Sequence, residues 1–127
     1  MKPANSNYSD DENVKVGLSC IEFLDLKKAD SPVLLDLRNV NSYLDFFIIA
    51  TGNSSIHCRA LAKDVEKMLH EAGLKQFGRT DYDSEWIIID FGSIIVHIFT
   101  EDMRNYYQLE KLWGDSIKYV LKENSND

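Results

Sequence analysis

Apolar residues along the chain follow two rhythms, one helical and one strand-like, and their alternation predicts most of the architecture. Val14, Leu18, Ile21, Leu24 and Leu26 recur near helical spacing, which predicts a first helix from Val14 to about Lys28. Asp11 is placed to cap its start, and Ser31-Pro32 closes the segment. Residues 33–37 read as a short first strand, and residues 39–43 as a polar turn. Residues 45–51 form a continuous apolar run, the mark of a central strand covered on both faces. Gly52-Asn53-Ser54-Ser55 ends it, with Ser54 or Ser55 as cap of a helix carrying Ile56, Leu61, Val65, Met68, Leu69 and Ala72 on one face. Gly73 stands where a helix-terminating glycine belongs. Residues 74–77 read as a short edge strand, followed by a polar link over 78–85. Residues 86–91 and 94–99 are two strands around Gly92-Ser93, a pair suited to a type II′ hairpin turn. Residues 101 to about 121 read as helical in part.

These elements make one α/β domain over residues 14–122, a single mixed β-sheet of about five strands flanked by helices. Residues 1–13 read as a disordered tail, and 123–127 as a frayed end. At 127 residues a chain can fold as one domain without disulfide or metal. Cys20 and Cys58 have no metal-binding or redox spacing and read as reduced thiols. No apolar run approaches the roughly 18 residues of a membrane span, and the polar, acidic start reads as lacking a signal or transit sequence. A cytoplasmic protein is expected.

The formal charge of −7 opposes broad contact with nucleic acid, so little direct nucleic-acid binding is expected. Between Arg79 and Glu110, seven carboxylates face two arginines, giving −5 of that total. Such a surface favours basic partners, although a solvated face that only aids solubility fits the charge as well.

The chain offers little for catalysis. Gly52-Asn53-Ser54-Ser55 before a helix could seat a phosphate, the basis of an alternative reading as a nucleotide-binding or nucleotidyltransferase-like enzyme. That chemistry also needs paired carboxylates on one strand for Mg²⁺, and no strand carries them. The same residues are ordinary capping chemistry. His57, His70 and His97 lack ligand spacing, so no metal and no cofactor are expected. His97 reads as a half-buried, hydrogen-bonded histidine.

The hairpin suggests binding instead. Alternation sends Ile87, Ile89 and Phe91 to one face, and Trp86, Ile88 and Asp90 to the other. An aromatic anchor beside a charge is usual interface anatomy, but Trp86 could equally be core, and the pattern leaves both readings open. Tyr106, Tyr107, Leu109, Leu112 and Trp113 can close the sheet, with Arg104 and Glu110 free to pair.

Three segments carry a family resemblance. Residues 45–54, DFFIIATGNS, resemble the D-[YF]-F-V-I-A-T-G-x-S segment of the Iojap-type ribosomal silencing factors. Residues 86–99, WIIIDFGSIIVHIF, resemble that family's W-x-L-x-D-[YF]-G-x-x-V-V-H-[VI]-F, and residues 104–113, RNYYQLEKLW, its R-x-x-Y-x-L-E-x-L-W. One departure stands out: Arg79-Thr80 occupies the place of the family's Glu-Gly. The resemblance implies a nucleotidyltransferase-like topology without catalytic residues, and a homodimer. It implies a factor that binds the large ribosomal subunit through a basic ribosomal protein, the one numbered fourteen, and sterically blocks subunit joining to repress translation under nutrient limitation. On that reading the contact residues are Trp86, Ile88, Asp90, Ser93 and His97, with Arg104 and Tyr107 extending the surface and Tyr43 and Asp45 as weaker candidates.

Overall fold

A computed structural model describes residues 6–121. The elements run α1 (Ser6–Leu26), β1 (Asp30–Asp36), β2 (Phe46–Gly52), α2 (Ser55–Glu71), β3 (Trp86–Asp90), β4 (Ile94–Thr100), α3 (Glu101–Tyr107), α4 (Leu109–Leu112) and β5 (Ile117–Val120). The strands form one sheet in the order β3-β4-β2-β1-β5. Only β2 and β4 pair in parallel; the other neighbours are antiparallel. The continuous apolar run thus lies in the middle of the sheet, buried along its whole length. No helix among the described residues is long and apolar enough to cross a membrane.

Each face of the sheet has its own core. On one, Ile48, Ala50, Ile87, Ile89, Val96 and Ile98 meet Cys20, Ile21 and Leu24 of α1 and Cys58, Leu61, Val65 and Leu69 of α2. Gly17 brings α1 against β1, since a Cβ there would lie 2.8 Å from the Leu34 side chain. On the other face, Val33, Leu35, Phe47, Ile49 and Phe99 meet Leu109, with Met103 and Trp113 at its margin. This second cover is thin, because α3 and α4 together contribute eleven helical residues.

Several expectations need correction. α1 begins at Ser6, so Asp11 lies inside the helix, as does the second half of the expected tail. The Asp10-Asp11-Glu12 run falls in the second turn of α1, whose first turn holds no acidic residue. Residues 1–5 of that tail and the end at 123–127 lie outside the described residues. Residues 74–77 form no strand: Phe77 makes one bridge, its N–H donating to Asp90 O at 2.8 Å. Gln76 turns instead to His70 on α2, and Gly78, at φ 74°, bends the chain away. The fifth strand is β5, within the segment read as partly helical. Helix breaks at Gln108, which sits in the left-handed region at φ 49°, and β-rich Ile117, Tyr119 and Val120 then pair with the free edge of β1. In the hairpin, Gly92 has the expected positive φ of 77°, but the turn closes by a three-residue γ-type bond from Ser93 N–H to Phe91 O at 2.9 Å.

Candidate functional site

β3 lies at one edge of the sheet, with Ile87 and Ile89 buried beneath α2. Trp86, Ile88 and Asp90 occupy the opposite face, where the register sets them beside Phe99, His97 and Ile95. α3 and α4 cover this face incompletely. Trp86, Asp90 and Ile95 are half-buried, and Ile88 is 45% exposed.

Trp86 organises the patch. Its ring lies 4.6 Å from that of Tyr107 and 5.5 Å from that of Phe99, centroid to centroid. Its indole N–H donates to His97 Nδ1 at 3.0 Å. That bond places the imidazole hydrogen on Nε2, which is buried without a hydrogen-bond partner. The Phe47 ring packs 4.3 Å from the imidazole. Burial pushes the His97 pKa down to about 4, so the ring is neutral at neutral pH. His97 is therefore not half-buried as expected. At 5% exposure it is a prop that orients Trp86 from below.

Asp90 shapes the turn as well as the surface. Its Oδ1 accepts from Gly92 N–H at 2.7 Å, and no cation pairs with it among the described residues. Ser93 is half-buried at the hairpin tip, where its carbonyl accepts from Phe46 N–H at 3.1 Å. Tyr43, 92% exposed, and Asp45 belong to the connection leading into β2, at this same end of the sheet. Tyr107 is 44% exposed and packs edge-on to the more exposed Tyr106.

Arg104 faces inward. Its Nε donates to Glu110 Oε1 at 2.9 Å, and Nη1 to Thr51 Oγ1 at 3.0 Å and Asp30 O at 3.3 Å, leaving the side chain 11% exposed. Lys118 Nζ lies 3.6 Å from the other Glu110 oxygen. Burial would raise the Glu110 pKa, but the Arg104 bond and charge and the Lys118 charge outweigh it and hold the carboxyl low. This cluster fastens α3 and α4 to the sheet and thereby sets Tyr107 over Trp86. The structure thus gathers Trp86, Ile88, Asp90 and Tyr107 on one surface, with His97 and Arg104 behind it.

Sequence reasoning missed the floor of Phe47 and Phe99, although the parallel register of β2 on β4 would have located it. It also missed a polar clasp. His70 Nε2 meets Gln76 Oε1 at 2.7 Å, Gln76 Nε2 donates to Thr80 Oγ1 at 2.9 Å, and Thr80 Oγ1 donates to Glu66 Oε2 at 2.7 Å. The Tyr82 hydroxyl donates to the other Glu66 oxygen. Thr80, which the resemblance sets in place of the family's glycine, thus gives the clasp its hydroxyl.

The turn at Gly52 offers a phosphate little. Asn53 N–H already donates to His57 Nδ1 at 3.0 Å, and His57 N–H to the Ser54 cap at 3.0 Å. Asp30, Glu85, Glu101 and Asp102 line the adjoining cleft, and no lysine or arginine does. Four carboxylates repel a triphosphate, and no group of three or more candidate metal ligands occurs among the described residues.

Comparison with known proteins follows the same line. Residues 10–127 match the family described as "ribosomal silencing factor during starvation". The Ribosomal silencing factor RsfS of Halalkalibacterium halodurans is 38% identical over 103 residues, covering 80% of this chain and 88% of that protein. Its namesake in Haemophilus influenzae is 40% identical over 95 residues, covering 74% and 93%. The crystal structure of a Chromobacterium violaceum protein superposes with a TM-score of 0.73 at 31% identity, covering 87% of this chain and 93% of the other. One from Bacillus halodurans gives 0.65 at 32%, covering 89% and 99%. With the fold, the three motifs and the family match in agreement, the chain belongs to the ribosomal silencing factors.

Proposed function

We propose that this chain docks on the large ribosomal subunit through a basic ribosomal protein, the one numbered fourteen, and represses translation by standing where the small subunit would join. The observation that supports the reading is the incompletely covered β3–β4 face, with Ile88 45% exposed beside the half-buried Trp86 and Asp90. In this proposal Trp86, Ile88 and Tyr107 supply apolar contact, and Asp90 pairs with a lysine or arginine of the partner. Ser93 extends the contact along the hairpin. His97 and Arg104 act indirectly, by fixing Trp86 and Tyr107. Blocking needs bulk and a dock but no chemistry, so neither catalysis nor a cofactor enters. A cytoplasmic setting and a homodimer belong to the same proposal; Leu112, Ile117 and Val120, exposed at and before β5, favour self-association.

Sucrose-gradient sedimentation tests it. The protein should travel with large subunits at low salt and reduce their joining to small subunits. Trp86→Ala combined with Asp90→Lys should abolish that co-sedimentation with an unchanged far-ultraviolet circular dichroism spectrum. Failure of the unaltered protein to travel with large subunits would overturn the reading, and light scattering decides the dimer.

A further inference from the structure

One flank of α2 is basic in a chain of charge −7. Arg59, Lys63 and Lys67 follow one another at four-residue intervals, about 6 Å apart along the axis and so about 12 Å in all. The clasp fixes the 74–80 segment beside this flank, and with it Lys75 and Arg79. None of these five cations forms an ion pair with a described residue. Glu66, one turn after Lys63, has both oxygens taken by Tyr82 and Thr80, and Glu71, one turn after Lys67, forms no ion pair with a described residue. Asp64, one turn before Lys67, pairs with Lys27 at 3.8 Å. Arg59 Nε is buried with no hydrogen-bond partner. Aromatic rings lie among the charges: Lys63 Nζ is 5.3 Å from the Tyr82 ring and Lys75 Nζ 5.6 Å from that of Phe77, which is 51% exposed.

We propose that this flank grips the phosphate backbone of RNA as a second contact with the ribosome, an inference that rests on the docking reading above. Unpaired cations beside the exposed Phe77 and the half-buried Tyr82 suit a strand of phosphates and bases better than an acidic peptide or a lipid surface. The Phe77–Asp90 bridge ties the segment carrying Lys75 and Arg79 to β3, so the flank borders the docking edge. One docked molecule can engage a basic protein on its acidic side and RNA on its basic side.

The test uses the full chain, a labelled RNA hairpin read by fluorescence anisotropy, and phosphatidylserine vesicles. Binding to the hairpin should weaken at least about tenfold between about 50 and 200 mM salt. Lys63→Glu combined with Lys67→Glu should weaken it about tenfold at the lower salt and flatten the logarithmic salt slope by about 1.5. Absence of hairpin binding at the lower salt, or binding to vesicles alone, would overturn the proposal. Sedimentation with large subunits separates the two readings. If the double variant sediments like the unaltered protein at both salts, the RNA contact falls and the docking reading stands. If nothing sediments but hairpin binding depends on Lys63 and Lys67, docking fails and the basic flank stands.

Discussion

His97 takes no proton in the folded protein until the pH nears 4, whereas an unfolded chain protonates it near 6.5. The unfolded state therefore binds more protons between those values, so stability falls as pH drops through the window and levels off below it. The loss should reach about 3 kcal/mol, and urea unfolding at neutral pH and at about pH 4.5 measures it. His97→Gln, which can still accept from Trp86, should show a much smaller change over the same range. Ile88 makes the contrasting case. As it is 45% exposed, Ile88→Asp should shift the unfolding free energy by less than about 1 kcal/mol while abolishing co-sedimentation with large subunits. The shared face of Trp86, Ile88 and Asp90 was legible from alternation alone. The Trp86–His97 bond was not, because it joins diagonal partners: Trp86 sits opposite Phe99, and His97 opposite Ile88.

Elements meet where single residues hold them. Gly92, at φ 77° and with room for a Cβ only 3.0 Å from Phe77, lets the hairpin turn. Gly92→Ala should cost about 1–2 kcal/mol from backbone strain alone, read as a lowered urea midpoint. Arg104 joins α3 and α4 to the ends of β1 and β2, and removing it leaves Glu110 poorly compensated. Arg104→Ala should destabilise by about 2 kcal/mol and weaken the near-ultraviolet signal of Trp86 packed on Tyr107, with Arg104→Lys recovering part of both. Strong, long patterns such as β2, α2 and the hairpin could be read from the chain because local preference and tertiary need coincide there. β5 could not. Four residues carry too short a pattern, and their strand state depends on the open edge of β1, whose paired residues lie 81 to 87 positions away in the chain yet adjacent in space.

At the scale of the molecule, net charge hid a division. Carboxylates collect around the cleft beside Gly52, while five cations line one flank of α2 and the segment after it. An average of −7 predicts repulsion from RNA, but a surface acts through its local field. The distribution was invisible to composition because the clasp that withdraws Glu66 from its lysines joins residues up to sixteen apart. The order of the strands has a practical consequence. β3 and β5 occupy opposite edges of the sheet, separated by four interstrand spacings, or about 19 Å. A fluorescent dye attached on β5, at the exposed Lys118, would therefore sit at the edge opposite β3, giving an optical reporter of the bound state that keeps the docking edge free.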